Sequence, residues 1–207
     1  LDDISHISFL EQIGLPESLS FRYNPGKAKM GNDIIGKPEE AKYGLTREQM
    51  IEAYKIAKAK GVKKFGIHTM VASNEINADY FVETADQLLQ LLADVTEQTG
   101  VTIDFINFGG GIGIPYRPEE DPVDLKRVSD GIKKRYTEYI VNGALKPPAI
   151  NFECGRVITG PNGWLVTEAI HEKHTYREYV GVNSCMADLM RPGLYGAYHH
   201  ITVMGKE

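Results

Sequence analysis

The stretch "TIDFINFGGGIGIPY", Thr102 to Tyr116, decides how this chain reads. An apolar run with strand character leads into three consecutive glycines, Gly109, Gly110 and Gly111, and Gly113 follows two residues later. Glycine weakens a strand and costs backbone entropy, so three in a row require a cause. Either the chain turns very tightly at the strand end, or a ligand lies against bare backbone. N–H groups unobstructed by Cβ atoms can converge on an anion, and barrels often hold a phosphate in the loops of their last strands. The spacing is GGGxG rather than GxGxxG, and the next helix is expected only near Asp121. The dinucleotide-binding fingerprint is therefore a poor match.

Working outward, strand and helix alternate. Upstream, the helix from Asn77 to Thr99 carries an apolar stripe of Phe81, Ala85, Leu88, Leu92 and Val95, and Gly100 closes it. "KKFGIHTM" precedes it as a strand. Before that, Thr46 with Gln49 forms a capping-box pattern opening a helix that bears Met50, Tyr54 and Ala57 on one face. A Gly/Pro-rich loop from Asn24 to Gly44 is long enough to be functional or mobile. It follows a strand at "SLSFRYNP" and a short amphipathic segment, "ISHISFLEQIG". Downstream, Asp121-Pro122 is expected to cap and start a helix with Val128, Ile132 and Tyr136 inward, and "PAINFECGR" is a fourth strand.

Four strands with three intervening helices imply a parallel sheet. The fold class expected is α/β, as half of an eight-stranded TIM-type barrel, with an open doubly wound sheet as the competing architecture. Catalytic chemistry in such barrels sits at the C-terminal ends of the strands. After Arg156 the pattern changes: "WLVTEAIHEKH" and "REYVGVN" have no helix between them and are expected to pair antiparallel, at the start of a β-rich region.

The chain has 207 residues, 42% hydrophobic and 25% charged, which suits one domain, or one domain and the start of another. Its net charge of −5 argues against nucleic acid as a partner. No apolar run approaches the roughly 18–20 residues of a membrane span. Two cysteines, Cys154 and Cys185, make no disulfide framework, and a cytoplasmic setting is expected. The chain opens in mid-pattern without Met, which suggests a piece of something longer.

Three further strand-end segments carry chemistry. "FGIHTMVASNE" places His68 and Met70 on the same side of an extended chain, with the Ser73 hydroxyl just beyond in reach of a phosphate; a satisfied core histidine is the plainer reading of His68. "NFECGR" brackets Gly155 with Glu153 and Arg156, and a buried Glu needs a cation or a proton. A structural Glu–Arg pair would serve equally. In "MADLMRPGLYGAYHHI", Pro192 and Gly193 forbid a regular helix between Arg191 and Tyr195, a pair able to grip a carboxylate. His199 and His200 are expected on opposite sides of a strand, and "HEKH" (His171 to His174) at a strand edge.

Together, "FRYNPG", "AKYGL", "GIHTMVASNE", "NFGGGIGIPY", "FECGRVITGPNG" and "MADLMRPGLYGAYHH" resemble the successive landmarks of the alanine-racemase-like, fold-type III pyridoxal-phosphate decarboxylases. The "IGIPY" continuation and the "RPGLYGAYHH" ending resemble the diaminopimelate decarboxylase branch more than the ornithine, arginine or carboxynorspermidine branches. The resemblance implies pyridoxal 5'-phosphate as cofactor and a cofactor-binding set of His68, Met70, Ser73, Gly109, Gly110, Gly111, Glu153, Gly155 and Arg156. Within it, the three glycines and Ser73 would hold the phosphate, and Glu153 would face the pyridine nitrogen. Arg156, Arg191 and Tyr195 would bind the substrate, an amino acid, with Arg191 and Tyr195 on a carboxylate.

The resemblance divides the chain into residues 1–160, a partial cofactor-binding barrel, and residues 161–207, a return to the barrel edge and the start of a β domain. It implies a homodimer for the full-length enzyme. Met70 stands where the family stacks a histidine on the ring, Ala72 replaces a glycine, and Cys154 replaces a proline. The family's Schiff-base lysine lies in a segment before Leu1, so no catalytic residue is assigned in this chain and the chain alone is expected to be inactive. Two alternatives remain open at this stage: a non-catalytic binding or regulatory protein of the same fold, and an arginine or ornithine decarboxylase. A metal-dependent hydrolase using His68, Glu153 and His171 has too few and too scattered ligands.

Overall fold

Side chains alternate faces along a strand, and in this protein the alternation sorts the sheet into an apolar and a polar side. The computed structural model describes residues 1–28, 37 and 40–206. Its main sheet holds β1 (Ser18–Tyr23), β2 (Lys64–Thr69), β3 (Ile103–Gly110) and β4 (Ala149–Glu153), all parallel and in the order β1-β2-β3-β4. Phe21, Ile67, Ile106 and Ile150 lie side by side in register, and one residue further on lie Arg22, His68, Asn107 and Asn151. The first row packs under the helices: Phe21, Ile67 and Ile106 are fully buried. The second row faces the other way. Crossovers between parallel neighbouring strands are right-handed as a rule, which puts the connecting helices on one side of a sheet ordered in this way. A doubly wound sheet would reverse its strand order at a switch point; the order here runs on without reversal, as in part of a barrel.

The helices are α1 (His6–Ile13), α2 (Arg47–Ala59), α3 (Ala78–Thr99) and α4 (Leu125–Tyr136). Thr46 opens α2 through the expected capping box, accepting from the Gln49 N–H while the Gln49 side chain accepts from the Thr46 N–H at 2.9 Å. Asn77 caps α3, whose expected stripe of Phe81, Ala85, Leu88, Leu92 and Val95 is buried. The start of α4 differs from expectation. Asp124, not Asp121, is the cap, accepting from the Arg127 N–H at 2.9 Å. The tight bonding of Glu120 to the Tyr116 and Arg117 N–H groups keeps the chain before it in a turn. Of the loop expected over residues 24–44, residues 29–36, 38 and 39 lie outside the described residues.

The two sheet edges differ. At β1, the Leu1 amino group donates to the Ser20 carbonyl and the Arg22 N–H donates to the Leu1 carbonyl, so the first residue partly covers that edge. Among the described residues no strand pairs with the far side of β4, and Ile150 and Phe152 are exposed there. Beyond lie a single turn, α5 (Arg156–Thr159), the antiparallel pair β5 (Ala169–His174) and β6 (Glu178–Val182), and a single turn, α6 (Arg191–Tyr195). Pro192 does not prevent that turn, because proline is tolerated in the first turn of a helix. His199 and His200 lie in irregular chain, not in the strand expected for them. Among the described residues, no hydrophobic side chain after Ile140 is buried.

Candidate active site

The C-terminal ends of β2, β3 and β4 converge on the glycine run, and the missing side chains are what allow it. A Cβ on Gly109 would lie 2.2 Å from the Thr69 carbonyl oxygen, on Gly110 2.1 Å from that of Glu153, and on Gly111 2.1 Å from that of Ala72. Gly109 and Gly111 also have φ values of +74° and +83°, which disfavour side chains. The close approach of main chain to main chain therefore accounts for the three glycines without a ligand. Two of their N–H groups bond within the protein: Gly109 donates to Asn107 Oδ1 at 2.9 Å and Gly110 to Met70 Sδ at 3.1 Å. A thioether is a weak acceptor, so the Gly110 N–H remains available to a stronger one.

The loop after β2 is fastened to the loop after β3. Glu75 N–H donates to the Gly111 carbonyl at 2.9 Å, Gly113 N–H to the Glu75 carbonyl at 2.8 Å, and Ile114 N–H to Asn74 Oδ1 at 3.0 Å. Asn74 adopts φ +54°, a left-handed conformation that asparagine tolerates better than most residues. Ser73 is thereby fixed beside the glycine loop.

His68 and Glu153 meet across the strand ends, with Nε2 3.4 Å from Glu153 Oε1. Glu153 is half exposed and turns to His68 and Asn107, whose Nδ2 donates to Oε1 at 2.9 Å; the Glu153–Arg156 pair considered from sequence does not form this contact. Burial pushes the His68 pKa below its ordinary value, Glu153 opposes that shift, and Arg22 adds to it. Met70 does not share the position of His68: its sulfur lies over the glycines. A Cβ on Gly155 would meet open space.

Ser73, Arg156, Arg191 and Tyr195 line one cavity of about 570 Å³, together with Tyr116 and Arg117. The Arg191 guanidinium lies 4.9 Å from the Tyr116 ring centre, and its Nη1 is 3.1 Å from His199 Nε2. His199 packs edge-to-face on Tyr116 at 5.3 Å. Arg191 is thus held on two sides by groups absent from the sequence-derived set. Asn107 and Asn74 stand inside the motifs "NFGGGIGIPY" and "GIHTMVASNE", but the sequence assigned neither of them a role.

Among the described residues, four buried side-chain polar atoms lack a hydrogen-bond partner, and two of them are in this site: His68 Nε2, which faces Glu153 at ion-pair distance, and Arg156 Nη1. Such atoms call for a ligand or water. With a hydroxyl, two arginines and a weakly engaged N–H beside a carboxylate, the residues fit a phosphorylated, cationic-ring cofactor and an acidic substrate. Among the described residues, no three His, Cys, Asp or Glu side chains are grouped to hold a metal, and His171 packs against Gly181 on β6.

Comparison with known proteins agrees with this chemistry. Residues 1–160 match the family model described as pyridoxal-dependent decarboxylase, pyridoxal binding domain. Protein TabA of Pseudomonas amygdali pv. tabaci is 36% identical over 95% of this chain and 46% of its own length. A diaminopimelate decarboxylase of Methanothermobacter thermautotrophicus is 35% identical over 98% of this chain and 48% of its own. Among solved structures, a diaminopimelate decarboxylase from M. jannaschii in complex with L-lysine superposes with a TM-score of 0.85 at 27% identity, over 97% of this chain and 48% of that one. The chain spans about half the length of the curated relatives it matches. Its parallel half-sheet, its glycine-bounded strand ends and the 160 matched residues make it a member of the pyridoxal-dependent decarboxylase family.

Proposed function

We propose that this chain forms the phosphate- and carboxylate-binding part of a decarboxylase that converts meso-2,6-diaminopimelate to L-lysine and CO₂. The observation that carries the reading is the single cavity in which Ser73 and Arg156 meet Arg191 and Tyr195. The relatives named diaminopimelate decarboxylase, one of them bound to L-lysine, support the substrate.

Bound pyridoxal 5'-phosphate supplies the electron sink for the pair left when CO₂ departs. The chain's own residues do the rest. Ser73 and the Gly110 N–H would hold the phosphate, with Met70 sulfur giving way to it. Glu153 would face the ring nitrogen and hold its proton. Arg191, pinned by Tyr116 and His199, and Tyr195 would take the distal carboxylate that separates this substrate from lysine. Arg156 would direct its unpartnered Nη1 to cofactor or substrate. The full-length protein would be a cytoplasmic homodimer, and residues 1–160 and 161–207 its barrel and β-domain portions. Among the described residues, no helix is long and apolar enough to cross a membrane.

The test is a pyridoxal 5'-phosphate titration by absorbance, followed by borohydride reduction and intact mass. The expected result is saturable binding with no reduced lysine adduct and no CO₂ release by this chain alone. One reduced lysine, or turnover, would overturn the assignment of the cofactor-bonding lysine to a segment outside it. For substrate, a polypeptide joining this chain to that lysine segment should release CO₂ from meso-diaminopimelate. Release only from ornithine or arginine would sink the substrate.

A further inference from the structure

Asn107 touches both ends of the proposed cofactor site, and this inference rests on that site. It stands on β3 between His68 and Asn151 on the polar face of the sheet. Its Oδ1 accepts the Gly109 N–H at 2.9 Å and its Nδ2 donates to Glu153 Oε1 at 2.9 Å. An amide offers a donor and an acceptor on one rigid plane. The loop N–H can meet only the oxygen and the carboxylate only the nitrogen, so the two bonds fix the orientation of the amide.

The two partners differ in freedom. Gly109 cannot shift toward β2, because its Cα already sits where a Cβ would strike the Thr69 carbonyl. Glu153 is half exposed, and its other polar neighbour, His68, is 3.4 Å away. Position is therefore passed from the loop to the carboxylate. We propose that Asn107 is a positioning residue that references Glu153 to the phosphate-facing glycine loop, so that ring nitrogen and phosphate are gripped at one set distance. An aspartate at this site would keep the bond to Gly109 but face Glu153 with like charge; a leucine would make neither contact.

The test uses the full chain and pyridoxal 5'-phosphate labelled with ¹⁵N in its ring, comparing the wild type with Asn107→Leu and Asn107→Asp. Affinity, the ring-nitrogen resonance between pH 6 and 9, and the urea midpoint are measured for each. His68, with Arg22, Asp2 and the amino terminus behind it, titrates near Glu153. A His68→Gln background separates that titration from the ring's. Asn107→Leu should weaken binding about tenfold, the size expected for losing a bond to a charged group, and reduce the protonated fraction of the ring. Asn107→Asp should hold affinity within about twofold, since the loop bond survives, yet alter the ring resonance. Wild-type affinity and wild-type resonance in Asn107→Leu would overturn the inference, even with a lowered urea midpoint. Should that variant not fold, an unchanged resonance in Asn107→Asp overturns it. A wild-type chain that binds no pyridoxal 5'-phosphate would instead refute the cofactor site itself, and this inference with it.

Discussion

Single residues in this site are set by burial as much as by partner. His199 accepts from Arg191, which requires the ring to be neutral, and burial followed by the Arg191 charge lowers its pKa from the ordinary 6.5. His68 is lowered as well, chiefly by burial. A histidine with a depressed folded pKa binds fewer protons when folded than when unfolded, so its contribution is complete above pH 6.5 and is lost as pH falls below it. Urea unfolding between pH 7.5 and 5 should show stability falling with pH, and His68→Gln with His199→Gln should flatten the slope. An unchanged slope in the double variant would count against neutral rings at both positions. The sequence could name Arg191 from its motif, but not Tyr116 and His199 as its supports. Those lie 75 residues before and 8 after it, and only the folded chain brings the first of them near.

At the level of elements, periodicity was a good guide where one face is buried. The α3 stripe and the Thr46 cap were legible because a 3.6-residue repeat and a cap side chain have no better use. The start of α4 was not. Asp121-Pro122 has the right chemistry for a cap, yet Glu120 engages the preceding N–H groups and the helix waits for Asp124. Two substitutions separate packing from capping. Leu88→Ala, in a fully buried site on α3, should destabilise by about 2–5 kcal/mol. Asp124→Ala should lose about 0.5–2 kcal/mol. Denaturant midpoints at constant slope would check both, and an Asp124 effect as large as that of Leu88 would mean the residue does more than cap. The glycine run was legible as a strand end but not as a meeting of three main chains, since sequence carries no record of what approaches a missing side chain.

For the molecule as a whole, the apolar core ends before β4. Ile150 and Phe152 lie open, and with Leu125, Val128, Ile132 and Tyr136 they line an apolar groove of about 510 Å³. Of the two sheet edges, Leu1 partly covers one, and among the described residues nothing pairs with the other, at β4. Open edges of this kind invite pairing between chains. Sedimentation of the isolated chain should show its average mass rising with concentration, and Ile150→Lys should suppress the rise. A concentration-independent monomer would show the edge to be inert. The glycine crossing has an opposite character. A cradle wedged open by peptide groups has no softer arrangement to collapse into, so its ordering entropy is met during folding. Capture should then be a single encounter with a finished surface, its observed rate climbing in proportion to cofactor concentration, with no slow rearrangement to set a plateau.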